Sequence, residues 1–191
     1  MGAKTPKTSD RRIQKTHRAL QEALIALIVE RGWDNFTVQD LCERADVGRS
    51  TFYMHFADKE DVVTGGLGEF RKGVRAAVAS RKGDSEPFAF VRPLIEHAFE
   101  QQRAFRALLG KGSGQPVLRR FRELVSEMVQ DDLAGVVASK LKKGAATAFL
   151  VGGFLDLLTW GLERGPACGP QELEQLFQQM AAPVLELLQR P

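Results

Sequence analysis

Seven side chains between Thr37 and Lys59 carry the clearest chemistry in this sequence: Thr37, Arg49, Ser50, Thr51, Tyr53, His55 and Lys59. They are hydrogen-bond donors and cations, a set suited to a polyanion. Arginine can read the edge of guanine or clamp a phosphate, and Ser, Thr and Tyr hydroxyls donate to phosphate oxygens. Arg49 and Ser50 are the candidates for base edges, Tyr53, His55, Thr37 and Lys59 for phosphates, and Thr51 for either. Catalysis is far less well provided for. His17, His55 and His97 are dispersed along the chain, and no Ser/His/Asp arrangement or pair of metal ligands accompanies them. Gly110-Lys111-Gly112-Ser113-Gly114 lacks the ending and the preceding strand of a phosphate loop, and the spacing of a nucleophile elbow, so it is expected to be a connector. Cys42 and Cys168 are too few for a disulfide framework. Cys42 fits a small buried apolar residue, and Cys168, in a Gly/Pro loop, is a candidate thiol. No metal and no cofactor are expected, and an enzyme on a helical scaffold is the weaker alternative.

The elements that must position those seven residues are short helices. Thr37 is a good N-cap and Asp40 stands three residues on, the spacing of a capping box. Val38, Leu41, Cys42 and Ala45 fall at i, i+3, i+4 and i+7, one apolar stripe. Asp46-Val47-Gly48 breaks that helix, because Gly reaches turn conformations easily and Asp competes for local backbone donors. Phe52 and Phe56 then anchor a second helix at i, i+4. Arg49, Ser50, Thr51, Tyr53 and His55 are left to point outward. A helix, a tight turn and a second helix form a helix-turn-helix, whose second helix enters the DNA major groove. Asp58 is the expected N-cap of a following helix, with Lys59 in its first turn, where free N–H groups favour an anion.

Thr37…Leu41-Cys42…Ala45-Asp46-Val47, Thr51-Phe52-Tyr53-Met54-His55-Phe56 and Lys59-Glu60 resemble the DNA-binding module of the tetracycline-repressor (TetR) family. Two positions depart from its pattern. Asp46 stands where the family usually has Gly in the turn, and Gly48 where it usually has a Ser cap. Both are tolerable, since Asp can adopt left-handed conformations and Gly is an acceptable cap. The resemblance rests on motif over residues 10–63, and on helix count and layout alone over 88–190. It implies a dimer made by the last two helices of each subunit.

The rest of the chain fits that picture. Its 191 residues are 43% hydrophobic and 27% charged, with a net charge of +3. Residues 1–20 hold Lys4, Lys7, Arg11, Arg12, Lys15 and Arg18 against Asp10 alone, a basic lead suited to phosphate contacts. The expected fold is all-α. A disordered basic arm (1–9) precedes a three-helix DNA-binding domain (10–63), followed by a helical-bundle regulatory and dimerisation domain (64–191). The first helix is expected from about Asp10 to Arg31, with Ile13, Leu20, Leu24, Leu27 and Ile28 inward. Ser80–Pro87 is the expected internal boundary. A helix after Ser139 is apolar on more than one side and a last amphipathic stripe runs from Leu173 to Leu188, so 139–163 and 170–189 are the expected homodimer face. No secretory signal and no apolar run of membrane-spanning length are evident, and the expected location is the cytoplasm.

The expected function is sequence-specific binding of double-stranded, roughly palindromic operator DNA. The regulator would be a repressor released by an unidentified small-molecule effector. His97, Phe99, Phe105, Phe121 and Trp160 are the candidate pocket residues. Control by a protein partner on the same fold is the alternative.

Overall fold

The computed structural model describes residues 8–80, 87–109, 115–135, 139–165 and 168–189, and among these the chain forms nine α-helices and no strand. The first, α1 (Thr8–Arg31), stops at Gly32, whose φ of 77° is open to glycine and strained for other residues. A 3₁₀ turn (Trp33–Asn35) leads to α2 (Val38–Ala45) and α3 (Arg49–His55). Three further helices follow: α4 (Lys59–Ser80), α5 (Val91–Glu100) and α6 (Gln102–Leu109). The chain closes with α7 (Gln115–Asp132), α8 (Lys140–Arg164) and α9 (Pro170–Gln189). Residues 1–7, 81–86 and 110–114 lie outside the described residues, and with them most of the expected basic arm, boundary and connector.

Two hydrophobic cores organise these helices. The head core gathers Leu20, Leu24, Leu27 and Ile28 of α1 with Trp33, Phe36, Leu41, Phe52, Phe56, Val62 and Val63. Ile13, expected on the same inward stripe, is instead exposed, because α1 outruns the helices packed beneath its first two turns. The body core is larger and runs from Val74 through Phe88, Leu94, Phe121, Val125, Phe154 and Leu158 to Phe177 and Leu188. Helix α4 runs unbroken past residue 63 and Leu67 touches both cores, so one continuous helix joins them.

Long-range polar contacts fix the body. The buried Phe88 adopts a left-handed φ of 62°, and its amide donates to Asp132 Oδ2 at 2.6 Å. Burial pushes the Asp132 carboxyl above its ordinary value. Arg71 bridges Glu127 and Asp131, and Arg75 Nη2 reaches Asp131 at 2.7 Å, tying α4 to α7. Gln102 Nε2 and Arg106 Nε donate to the Leu162 carbonyl at 2.9 and 3.0 Å, so α6 braces the last turn of α8. At Gly161 a Cβ would lie 2.7 Å from Leu173 Cδ2, a close approach of α8 and α9 at which any larger residue would force the buried leucine to shift.

By length and composition, α8 could cross a membrane, with a mean hydropathy of 1.5 over its most apolar stretch, but half of that stretch is buried against this chain. The expectation that no apolar run reaches spanning length is qualified to that extent: α8 has the length and composition, with Asp156 inside it. Cys168 is buried and burial pushes its thiol pKa up, which removes the basis for expecting a reactive thiolate there.

Candidate nucleic-acid interface

The capping box forms as its spacing requires. Thr37 Oγ1 accepts from the Asp40 amide at 3.2 Å and donates to Asp40 Oδ2 at 2.6 Å, while the Thr37 amide donates to the same oxygen at 2.8 Å. Those bonds from Thr37, joined by Arg31 Nη1 at 3.0 Å, hold the Asp40 carboxyl down to about 2. Arg44 forks onto both oxygens of Glu30, so α2 is fastened to α1 at two points. Asp46 takes a left-handed φ of 52° and closes α2, and Gly48 caps α3 without a side-chain bond. The two departures from the family pattern are thus accommodated by backbone geometry alone.

Helix α3 has two faces. Phe52 and Phe56 are buried in the head core, their rings 5.9 Å apart. Arg49, Ser50, Tyr53 and Met54 stand outside, and Thr51 and His55 are half-buried at the edges. Met54, 72% exposed, was not singled out among the contact candidates. Its position two residues after Phe52 on a seven-residue helix was the available signal, and an apolar tip there suits a thymine methyl. Arg11, Arg12 and Lys15 are exposed on the N-terminal part of α1.

Three of the seven expected contact residues are turned to other work. Lys59 is the plainest case. Its ammonium donates to the Trp33 and Phe36 carbonyls at 2.6 and 3.0 Å and sits 4.6 and 4.4 Å over their rings. Burial lowers its pKa, and the charge closes the turn after α1 where it was expected to face a phosphate. The cause is local: the carbonyls after α1 lack helical partners, and a cation satisfies two at once. Thr37, though exposed, has its hydroxyl engaged in both directions by the capping box. His55 packs edge-on to His17 at 5.1 Å, which in turn lies 4.7 Å from the Phe56 ring. Burial first, and His55 second, push the His17 imidazole below its ordinary value.

The candidate pocket residues separate. His97, Phe105 and Phe121 line one cavity of about 350 Å³ between α1, α4, α6 and α7. Phe99 packs against the body core outside that cavity lining. Trp160 is 39% exposed on α8 beneath the Arg164 guanidinium, 4.5 Å from its ring centroid. Its aromatic face is therefore on the outer surface, not in the interior expected of it. Among the described residues no group of His, Cys, Asp or Glu is placed to hold a metal ion.

A family profile described as bacterial regulatory proteins, tetR family, matches residues 20–64, which span most of the head. Over 107 residues the chain is 28% identical to the regulator TcmR of Streptomyces glaucescens, and over 58 residues 34% identical to the regulator YxbF of Bacillus subtilis. Those matches cover 56% and 30% of this chain, but only 42% and 15% of the two relatives' own length. A solved TetR regulator from Streptococcus agalactiae aligns over 91% of this chain and 97% of its own, at 26% identity and a TM-score of 0.62. The head is that of a TetR-family regulator. The likeness to that solved regulator extends past the head into the helical body, where motif resemblance was absent.

Proposed function

We propose that the protein is a sequence-specific transcriptional regulator of the repressor type, binding double-stranded operator DNA as a homodimer and released by a small molecule. The observation that carries this reading is the outer face of α3. Arg49, Ser50, Tyr53 and Met54 are exposed together on a helix whose inner face is anchored by Phe52 and Phe56. That helix can enter a major groove while the exposed cations of α1 meet the backbone. Residues 10–63 form the reading domain in this scheme, 64–191 the regulatory and dimerising one, and 1–9 the arm. The protein would act in the cytoplasm, and no catalytic step is assigned to it.

The proposed dimer face is supported by apolar side chains left uncovered on the last two helices. Leu141, Phe149 and Trp160 follow one side of α8, and Met180 and Leu187 one side of α9. Gly153 lies within that stripe of α8 with nothing near its absent Cβ, leaving room for a partner helix. Apolar stripes of this kind mark protein contacts, and pairing them would set two α3 helices on successive grooves. The cavity at α1, α4, α6 and α7 favours a small effector over a protein partner. Footprinting of the purified protein on DNA flanking its own gene is the test. A protected, roughly palindromic site with half-sites about one helical turn apart supports the reading. Equal protection of unrelated DNA would overturn it.

A further inference from the structure

We propose that the cavity between α1, α4, α6 and α7 is a seat for a small uncharged amphiphile, a molecule with an apolar body and one hydrogen-bonding end. The inference rests on the ligand-controlled reading above and names the chemical class of its effector. At about 350 Å³ the cavity falls within the range of small-molecule sites. Its walls are mainly apolar, with Leu24 and Ile28 from α1, Leu67 and Phe70 from α4, Phe105 from α6 and Phe121 from α7.

The polar groups decide what the body of such a ligand must carry. His97 lies between the Phe70 and Phe105 rings, with centroids at 4.6 and 6.1 Å. Its ring nitrogens make no hydrogen bond among the described residues, and the nearest carboxylate, Glu100, is 4.0 Å away. The Gln21 amide lies across the space above Gly66, 3.5 Å from where a Cβ would stand, and it too has no hydrogen-bond partner among the described residues. Both groups line the cavity with unused hydrogen-bonding capacity.

Charge is excluded by the same walls. No Lys or Arg lines the cavity, so a carboxylate entering it would lose water and gain no cation. Its one acid, Glu69, is largely exposed and paired with Lys72 at 2.7 Å, so a buried ammonium would find no free anion. Burial lowers the His97 pKa, which keeps the imidazole neutral at neutral pH. An uncharged end that accepts from or donates to an imidazole and an amide is what remains.

The position gives such a ligand its leverage. It would touch α1 of the head directly, and also α6, whose Gln102 and Arg106 hold the last turn of α8. A molecule seated there separates or draws together the head and the body without any relay through the body core.

The test is displacement of the neutral fluorophore N-phenyl-1-naphthylamine from the full-length protein by 1-octanol, octanoate and octylammonium at neutral pH. The expected result is one bound fluorophore per chain, displaced by octanol at concentrations at least about tenfold below either charged homologue. Ala104→Leu narrows the cavity from α6 and is expected to abolish fluorophore binding with helical content unchanged. His97→Leu is expected to keep the fluorophore while weakening octanol by about tenfold. Octanoate or octylammonium matching octanol would overturn the proposal, as would a folded Ala104→Leu that binds the fluorophore normally. Should Ala104→Leu fail to fold, an unchanged octanol affinity in His97→Leu overturns it. Octanol that binds as described yet leaves operator affinity unaltered contradicts only the ligand-controlled reading, not the chemistry of the cavity.

Discussion

In the head, polar clamps hold a small core closed; in the body, a larger core leaves apolar side chains uncovered along α8 and α9. The head fixes α2 by the Arg44–Glu30 fork, the Arg31–Asp40 pair and the Thr37 capping box, and fixes the turn after α1 by Lys59. The body has polar ties of its own, Arg71 and Arg75 to α7, Phe88 to Asp132 and α6 to Leu162, but they span a larger core that packing, with Gly161 against Leu173, must hold. The difference has a functional sense. On the proposed reading, a surface that presents four side chains to DNA benefits from a rigid base, because rigidity is what keeps their spacing. A surface meant for a second subunit or a ligand must leave something unsatisfied.

This contrast can be broken at its strongest point first. Phe52 is fully buried in the head core, so Phe52→Ala is expected to destabilise the protein by about 3–5 kcal/mol in urea unfolding. A loss below about 1 kcal/mol would show that the head core is looser than its contacts suggest. Lys59→Met is expected to lower stability by about 2 kcal/mol, since two carbonyls lose their donor. The salt dependence of operator binding should stay the same. A phosphate contact would give the opposite pattern, with stability kept and the salt slope reduced by about 1.

Glycines test the body in the same way. Gly161→Ala places a methyl group against Leu173 and is expected to lower the melting temperature, equivalent to about 1–2 kcal/mol of overpacking. Gly153→Ala meets nothing within the chain; it should leave monomer stability equal or raised by up to about 1 kcal/mol. If α8 is the dimer face, the same change weakens association in sedimentation.

How far this organisation could be read without coordinates also differs between the two regions. The head was legible because its signals are local: a cap with its box partner, an i, i+4 pair of phenylalanines, a broken turn. Even there Lys59 escaped, because its partners Trp33 and Phe36 lie more than 20 residues earlier. The body yielded its helices through periodicity but only part of its pocket, His97, Phe105 and Phe121. Phe99 and Trp160 are aromatic like Phe105 and Phe121, and only tertiary placement separates a cavity wall from a core or a surface. The share taken by α1 in that cavity was equally invisible, since Leu24 and Ile28 look like any other inward residues of an amphipathic helix.

The smallest expected effect concerns pH. The His17 imidazole is lowered by burial and by His55 from an ordinary value of 6.5. The folded head therefore binds fewer protons than the unfolded chain in the window just below 6.5, and stability is present above it and lost as pH falls through that window. His17→Gln removes this contribution. The melting temperature of the wild type should fall relative to the variant on acidification below 6.5; a constant gap would mean that the His17 imidazole is not lowered in the folded head.

The central claim is that the outer face of α3 reads DNA, and Arg49→Ala tests it most directly. Arg49 is exposed and outside both cores, so melting should be unchanged. Operator binding is expected to weaken by roughly 1–3 kcal/mol, with discrimination relaxed at one base position of each half-site. Undiminished affinity and unchanged base preference in a normally folded variant would contradict the claim.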